Sequence, residues 1–347
     1  MLFYYSEGKD YMKKNIIVKG DIGSGKTRNV LFPAFNEAIK NGENVVSFST
    51  TEEYLSNFYE YVKKEGYNVI IINFNDIKRS MGWNPLSYSY KLYKENNIDE
   101  AIFQLEKVYK NLFKTVNISS STDEFWPNSA RSLAIAVTLS LFIEGDEGKI
   151  NLNNVASIIR RENLKEYLRK FDNADFLIYA KSFIASPPET SGVITSVCLQ
   201  TLRLYEARPN LRKMLASTTY DLEQFNAEKL AIFIINDEDN RANIPLVISY
   251  IAELCSLVKK SNNIFKFILD ELEILLPSLD EDFLYQIRGA IKHNYSFMLS
   301  IQNEEMLLDK LGNYILSLAE IVESKDVKEN KDKINIERVN ISEKLLG

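Results

Sequence analysis

The sequence predicts an α/β protein in which a mostly parallel sheet is interrupted by an inserted all-helical domain. Short apolar strands alternate with amphipathic helices over residues 15–74, a pattern typical of βαβ units. The stretch that follows shows helical periodicity without a convincing strand, and strand patterns then resume near residue 229. We therefore predict the first part of the sheet domain in 1–86, the helical domain in 87–190 and the second part of the sheet domain in 191–347.

The first part of the sheet domain contains three predicted strands and two predicted helices. The strands are "NIIVKG", "NVVSFS" and "YNVIIINF", each short and apolar. The first helix, "TRNVLFPAFNEAIKNG", ends at Gly42, and the second, "TEEYLSNFYEYVKKEG", ends at Gly66. A β-α-β-α-β order of this kind favours parallel strands joined by right-handed crossovers.

The helical domain is followed by a return to strands. The stretch "SPPETSG" at 186–192 interrupts the helical pattern, and one more helix then leads to Leu215. Three further strands are predicted in "KLAIFIIN", "FKFILDE" and "NYSFMLSIQ". The final stretch, 323–347, is rich in Lys, Glu and Asn, which predicts a charged and flexible tail.

Composition excludes several classes of protein. The 347 residues carry a formal net charge of −6, so any nucleic-acid contact must rest on local basic patches. Two cysteines and the single histidine, His293, exclude a disulfide framework, a zinc site and a histidine-cluster metal site. No segment reaches the ~20 apolar residues of a membrane helix, and the N-terminus lacks the order of a signal peptide. We expect a cytoplasmic protein without a transmembrane segment.

A glycine-rich loop follows the first strand. The sequence Gly20-x4-Gly25-Lys26-Thr27 fits the pattern G-x-x-x-x-G-K-[ST] and lies between a predicted strand and a predicted helix. Glycines let backbone N–H groups turn toward phosphates, the lysine reaches the β- and γ-phosphates, and the threonine hydroxyl can ligate Mg²⁺. We therefore predict a site for ATP and Mg²⁺ whose residues are Gly20, Asp21, Ile22, Gly23, Ser24, Gly25, Lys26, Thr27 and Arg28.

Nucleotide hydrolysis also needs a carboxylate at a strand end to hold the metal and a second one to activate water. Two stretches compete for these roles. "FKFILDE" ends directly in Asp270 and Glu271, whereas "KLAIFIIND" reaches Asp237 only after Asn236. The tighter junction favours Asp270 beside the metal and Glu271 as the general base.

Two more polar residues are candidates near this acidic pair. Gln302 ends the following strand, at the place where RecA-like motors sense the γ-phosphate or orient water, although a single polar strand end is also ordinary. Arg288 lies in the helix between the two strands. In ring-shaped ATPases such an arginine stabilises charge in a neighbouring subunit's site. The alternative is a surface arginine without a catalytic role.

Two stretches of the chain are more distinctive than the loop. "YNVIIINFNDIKRSMGWNPLSY" contains an Asn-Pro-Leu turn, and "DEFWPNSARSLAIAVTLSLF" contains a Phe-Trp pair before a long apolar helix. "ETSGVITSVCLQTLRLYEAR", "IFIINDED" and "FILDELEIL" follow in order. Together these stretches resemble the coupling proteins of conjugative type IV secretion systems, the TraG/TraD kind. The resemblance implies a RecA-like P-loop NTPase with an inserted all-α domain.

The resemblance also implies an activity and partners. Members of this family hydrolyse ATP as hexameric rings and deliver a relaxase-bound single DNA strand, or a protein substrate, to a secretion channel. The implied partners are therefore single-stranded DNA or a relaxase–DNA complex, other secretion-system components at the membrane, and further copies of this chain. By the same resemblance Lys26 binds phosphate, Asp270 and Glu271 form the acidic pair, Arg288 acts in trans and Gln302 is the sensor.

The chain departs from the family pattern at three points: its N-terminus, the segment after the second strand, and the part beyond Gln302. This last part is short and charged, which argues against further sheet strands and against efficient ring assembly. Family members usually begin with membrane helices, which we do not find in this sequence, so either attachment at the inner face of the membrane would come through a partner or the chain is a divergent or shortened form. After the second strand the family usually shows Asp-Pro-Lys, whereas this chain has "SFSTTEE" at 47–53. A nucleotide-gated substrate receptor or docking module with little turnover is therefore an alternative. A DNA-pumping ATPase of the FtsK or HerA kind is a further one.

Overall fold

A computed structural model of the chain describes residues 15–114, 124–290 and 292–324. The chain forms two compact units, one made of Met1–Ser80 with Asp221–Gly347 and the other of Met81–Tyr220. We call them the sheet unit and the helical unit. The helical unit therefore interrupts the sheet unit after its third strand.

The described strands of the sheet unit pair in parallel in one seven-stranded sheet of order β3-β4-β2-β5-β6-β1-β7. The strands β2, β4 and β6 are buried along their whole length, as expected for a parallel sheet covered on both faces. The α/β fold with a parallel sheet is confirmed. The strand bounds are β1 Asn15–Lys19, β2 Asn44–Ser49, β3 Asn68–Asn73, β4 Leu230–Ile235, β5 Phe265–Leu269, β6 Tyr295–Ile301 and β7 Ala319–Glu323.

The helices fall into three groups along the chain. Two belong to the first part of the sheet unit: α1 Phe32–Lys40 and α2 Glu53–Lys64. The helical unit contains α3 Ser87–Lys94, α4 Ile98–Phe113, α5 Phe125–Glu144, α6 Leu152–Ile159, α7 Leu164–Leu168, α8 Ala174–Ala185, α9 Pro188–Glu206 and α10 Pro209–Met214. The second part of the sheet unit contains α11 Gln224–Ala227, α12 Ile244–Val258, α13 Glu281–Ala290 and α14 Glu304–Leu311.

The strand order brings distant segments of the chain to one edge of the sheet. The strand β6 lies between β1 and β5, and all three run in the same direction. Their carboxyl ends therefore share the edge at which open α/β sheets bind ligands. The glycine-rich loop, the acidic pair and Gln302 directly follow these three strands.

The helix α9 belongs to the helical unit, although the sequence analysis places most of it in the second part of the sheet domain. It packs against α5 and α6, and its Cys198 is buried. The entry and exit of the unit are also bonded, because the backbone N–H of Trp83 donates to the carbonyl of Met214 at 2.9 Å. The helical unit therefore spans 81–220, whereas the predicted bounds are 87–190. Apolar periodicity identifies a helix without showing which unit it packs against.

The first helix and the last strand also differ from the predicted elements. The predicted first helix begins as a π-helical turn, Lys26–Leu31, before α1 continues it. The strand β7 pairs with β1 along its whole length, although the sequence analysis identifies no strand beyond Gln302. Almost all of the predicted charged tail lies outside the described residues.

One described segment, Arg241–Val258, is long and apolar enough to cross a membrane, with a mean hydropathy of 1.3. This segment is 89% buried in the structure. Its helical part, α12, packs against α11 and α13 of the sheet unit. The segment therefore has the surroundings of a core helix.

Candidate nucleotide-binding site

The glycine-rich loop joins β1 to the π-helical turn. Gly23 and Gly25 adopt positive φ angles of 77° and 84°, which residues with a Cβ rarely adopt. A Cβ at Gly20 would collide with the hydroxyl groups of Ser24 and Ser324. The path of the loop therefore depends on glycine at all three positions. Gly23 and Gly25 are needed for their backbone conformation, and Gly20 is needed because a side chain would not fit.

The side chain of Lys26 is 9% exposed and bends back over its own loop. Its ammonium group donates to the backbone carbonyls of Gly20 and Asp21, the latter at 3.1 Å. These partners are neutral carbonyls, so the cation is held inside the curve of the loop without an opposing charge among its hydrogen-bond partners. A phosphate group is the complement that such a site attracts.

The remaining loop residues are more open to solvent. Asp21, Ile22 and Gly23 are exposed, and Ser24 accepts a hydrogen bond of 2.9 Å from the hydroxyl of Ser324 at the end of β7. The guanidinium of Arg28 lies 3.5 Å from Glu53 with 70% of its side chain exposed. Arg28 therefore lies at the rim of the loop.

Asp270 directly follows β5 and is 4% exposed. The hydroxyl of Thr27 donates to its Oδ2 at 2.7 Å, and the hydroxyl of Ser300 donates to its Oδ1 at 2.6 Å. The hydroxyl of Tyr54 lies 3.3 Å from Oδ2 and donates to it as well. The fold thus brings Thr27 and Asp270 together although they lie 243 positions apart in the sequence.

Glu271 has a left-handed backbone conformation, with φ at 53°. Its backbone N–H donates to Oδ1 of Asp270 at 3.0 Å and to the hydroxyl of Ser300 at 3.2 Å, which fixes the turn after β5. Its carboxylate accepts a hydrogen bond from the hydroxyl of Thr50. Burial raises the pKa of Glu271 above its ordinary value, and this moves the group toward the range in which a general base works.

Gln302 and Arg288 lie in different places relative to the loop. Gln302 follows β6 between the loop and the acidic pair, and its backbone N–H donates to the carboxylate of Glu273. Arg288 is exposed near the end of α13. The neighbouring carbonyl of Ile287 accepts a hydrogen bond of 2.9 Å from Asn15, the first residue of β1. Arg288 therefore lies near the amino edge of the sheet, away from its own loop.

The competing carboxylate, Asp237, lies farther from the loop than Asp270. It follows β4, and three strands, β2, β5 and β6, separate β4 from β1. Its backbone N–H donates to the side chain of Asn75 at 2.7 Å, which ties it to the end of β3. The geometry thus favours Asp270 as the partner of the loop.

Four side chains that contact this site were not predicted from the sequence. Ser300 and Tyr54 donate to Asp270, Thr50 donates to Glu271, and Ser324 contacts the loop. Ser300 lies in β6, two residues before Gln302, so the alternation of side chains along β6 could have indicated it. The other three come from segments whose closeness to the loop depends on the order of strands in the sheet.

The residues present fit a magnesium nucleotide. Among the described residues no group of three His, Cys, Asp or Glu side chains could hold a metal ion. Mg²⁺ is usually bound by one or two protein oxygens together with phosphate oxygens, so a closed protein cage is not needed. Thr27 and Asp270 supply such oxygens, and Lys26 supplies the cation beside them.

Comparison with known proteins adds to this geometry. Residues 3–281 match the family described as type IV secretory system conjugative DNA transfer. The chain belongs to this family. The family resemblance found in the sequence is thereby confirmed, while no curated protein matches the chain.

Solved structures share the fold of this family member. The bacterial conjugative coupling protein TrwBdeltaN70, in a trigonal form with sulphate, has 16% sequence identity and a TM-score of 0.62, covering 89% of this chain and 68% of that chain. The plasmid coupling protein TrwB in complex with ADP and Mg²⁺ has 16% sequence identity and a TM-score of 0.62, and the match covers 89% of this chain and 69% of that chain. TrwB in complex with the non-hydrolysable GTP analogue GDPNP has 16% sequence identity and a TM-score of 0.63, and the match covers 89% of this chain and 68% of that chain. The RecA-like P-loop fold predicted from the sequence is confirmed.

Proposed function

We propose that this protein is an ATP-hydrolysing coupling protein that moves single-stranded DNA, or a protein attached to it, toward a conjugation channel. The observation that carries the proposal is the hydrogen bond between Thr27 and Asp270, which joins the loop to the acidic strand end. Family membership supplies the cargo class, since the family is one of conjugative DNA transfer. The TrwB structures with ADP and Mg²⁺ support the choice of cofactor.

In this proposal each residue at the carboxyl edge has a separate task. When bound, ATP would supply the phosphoryl bond that is broken, and Mg²⁺ would supply positive charge beside its phosphates. Lys26 would hold the phosphates, while Thr27 and Asp270 would hold the metal. Glu271 accepts the proton of the attacking water, and Gln302 orients that water or senses the γ-phosphate.

We further propose that the active form is a hexameric ring in which Arg288 acts on a neighbouring subunit. The support is its position: it is exposed and lies near the edge of the sheet opposite its own loop. Such an arginine can stabilise charge only in the site of another subunit. A cytoplasmic location, with attachment to the membrane through a partner, belongs to the same proposal.

The decisive experiment compares ATP hydrolysis with and without single-stranded DNA at low salt. The wild-type protein is expected to hydrolyse ATP faster when DNA is present, and Lys26→Ala is expected to reduce hydrolysis to background. Lys40→Ala is the control, because Lys40 is an exposed lysine at the end of α1 and should leave hydrolysis unchanged. A wild-type protein that binds ATP but neither hydrolyses it nor retains DNA would contradict the motor and favour a nucleotide-gated docking module.

A further inference from the structure

Thr50 lies where this chain departs from the family pattern. It directly follows β2, which is the neighbour of β5 in the sheet, so it lies beside the turn that carries Glu271. Its hydroxyl donates to the carboxylate Oε2 of Glu271, and the residue is 8% exposed. A buried donor is therefore directed at the proposed general base from a neighbouring strand.

The position of Thr50 is itself fixed by the ends of two more strands. The side-chain amide of Asn75 donates to the carbonyl of Thr50 at 3.0 Å. The side-chain oxygen of the same asparagine accepts from the backbone N–H of Asp237 at 2.7 Å, and its backbone N–H donates to the side chain of Asn73 at 3.0 Å. Because β3 and β4 hold Asn75, the hydroxyl of Thr50 has a supported position from which to hold the carboxylate.

We propose that Thr50 is a positioning residue for Glu271 and that its hydroxyl holds the carboxylate in the orientation in which it takes a proton from water. The inference rests on the proposed hydrolysis of ATP. In this proposal Thr50 orients Glu271, and the neighbouring Thr51 has no such role. Thr51 is exposed, and its hydroxyl accepts from the backbone N–H of Glu53 at 3.4 Å.

The test uses Thr50→Val, which keeps the shape and removes the donor, with Thr50→Ser to restore the donor and Thr51→Val as the matched control. Loss of a hydrogen bond to a charged group predicts a fall in kcat of about tenfold or more for Thr50→Val, with KM unchanged. Recovery of kcat in Thr50→Ser would show that the lost hydroxyl, and not a change of packing, causes the fall. Thr50→Ser and Thr51→Val are expected to stay close to the wild type.

A second measurement makes the test independent of turnover. Crystal structures of the wild type and of Thr50→Val are compared at the turn after β5. A displaced carboxylate of Glu271 in Thr50→Val supports the inference, and an unmoved carboxylate overturns it. An unchanged kcat in Thr50→Val, or no recovery of kcat in Thr50→Ser, overturns it as well. Absence of hydrolysis in the wild type would overturn the proposed function, while the two structures would still decide the role of Thr50.

Discussion

The carboxyl edge of the sheet unit and the interior of the helical unit use buried polar groups in different ways. At the sheet edge, the charged groups of Lys26 and Asp270 are both buried. In the helical unit, the buried polar side chains of the described residues are neutral apart from Glu206, which pairs with Arg160. Buried charge is costly unless it is paired or has a function, so the buried pair at the sheet edge supports our proposal that ATP is bound there.

The hydrogen bonds of the two regions differ in the charge of their partners and in the sequence separation of the residues that they join. The bond between Thr27 and Asp270 joins residues 243 positions apart and involves a carboxylate. The bond between Tyr109 and Thr138 joins residues 29 positions apart, and both groups are neutral hydroxyls in the core of the helical unit. The first kind of bond builds a site from distant segments, and the second kind holds two neighbouring helices together.

The largest effect is expected from Glu271→Gln, which tests whether the sheet edge carries the chemistry. Removal of the general base predicts a fall in kcat of roughly 10²- to 10⁴-fold, with binding of ATP retained. The measurement is steady-state hydrolysis together with a nucleotide-binding titration. Glu65→Gln is the control, since Glu65 is exposed at the end of α2. Hydrolysis at the wild-type rate in Glu271→Gln would show that another group activates water.

A large effect of another kind is expected from Leu133→Ala in α5. Leu133 is fully buried, so truncation leaves a cavity and should lower the free energy of unfolding by about 2–5 kcal/mol. Calorimetry measures this loss, and a nucleotide titration of the folded protein should give unchanged affinity. A weakened affinity for ATP would contradict the separation of scaffold and chemistry between the two units.

The smallest effects form a matched pair of buried hydroxyl deletions. Ser300→Ala removes a donor to the carboxylate of Asp270 and should lower the free energy of unfolding by about 1.5–3 kcal/mol, because the acceptor is charged. Tyr109→Phe removes one member of a neutral pair and should cost about 1 kcal/mol. Urea unfolding measures both.

The same pair also separates the two regions by function. Ser300→Ala should weaken the binding of Mg²⁺-nucleotide, since Asp270 loses a group that orients it. Tyr109→Phe should leave that binding unchanged, because Tyr109 lies in the helical unit. If both variants changed the nucleotide affinity equally, the proposed difference in function between the two regions would be wrong.

The sequence predicts the parts of the candidate site that are formed by residues close together in the chain. The loop from Gly20 to Thr27 is one continuous motif, and Asp270 was preferred because an apolar strand runs directly into it. Thr50 and Tyr54 could not be found in this way. They lie 221 and 216 positions from the carboxylates that they contact, and only the strand order brings these segments together.

Two errors of element assignment have the same physical origin. The strand β7 is short and only partly buried, so it lacks the apolar pattern of the inner strands. The helix α9 has a clear helical pattern, but its membership in the helical unit comes from packing against α5 and α6. The sequence pattern identifies helices and strands well where they are completely buried. It does not identify a strand, or assign a helix to a unit, where this depends on packing against segments that are distant in the sequence.

The contact between β7 and the loop has a consequence for the newly made chain. The hydroxyls of Ser324 and Ser24 bond at 2.9 Å although the two residues are 300 positions apart. At synthesis rates of about 5–20 residues per second, a ribosome needs roughly 15–60 s to pass from one to the other. During that interval the helical unit can fold while the glycine-rich loop still lacks its contact with Ser324. The contact between Ser24 and Ser324 is therefore among the last contacts of the sheet unit that the nascent protein can form.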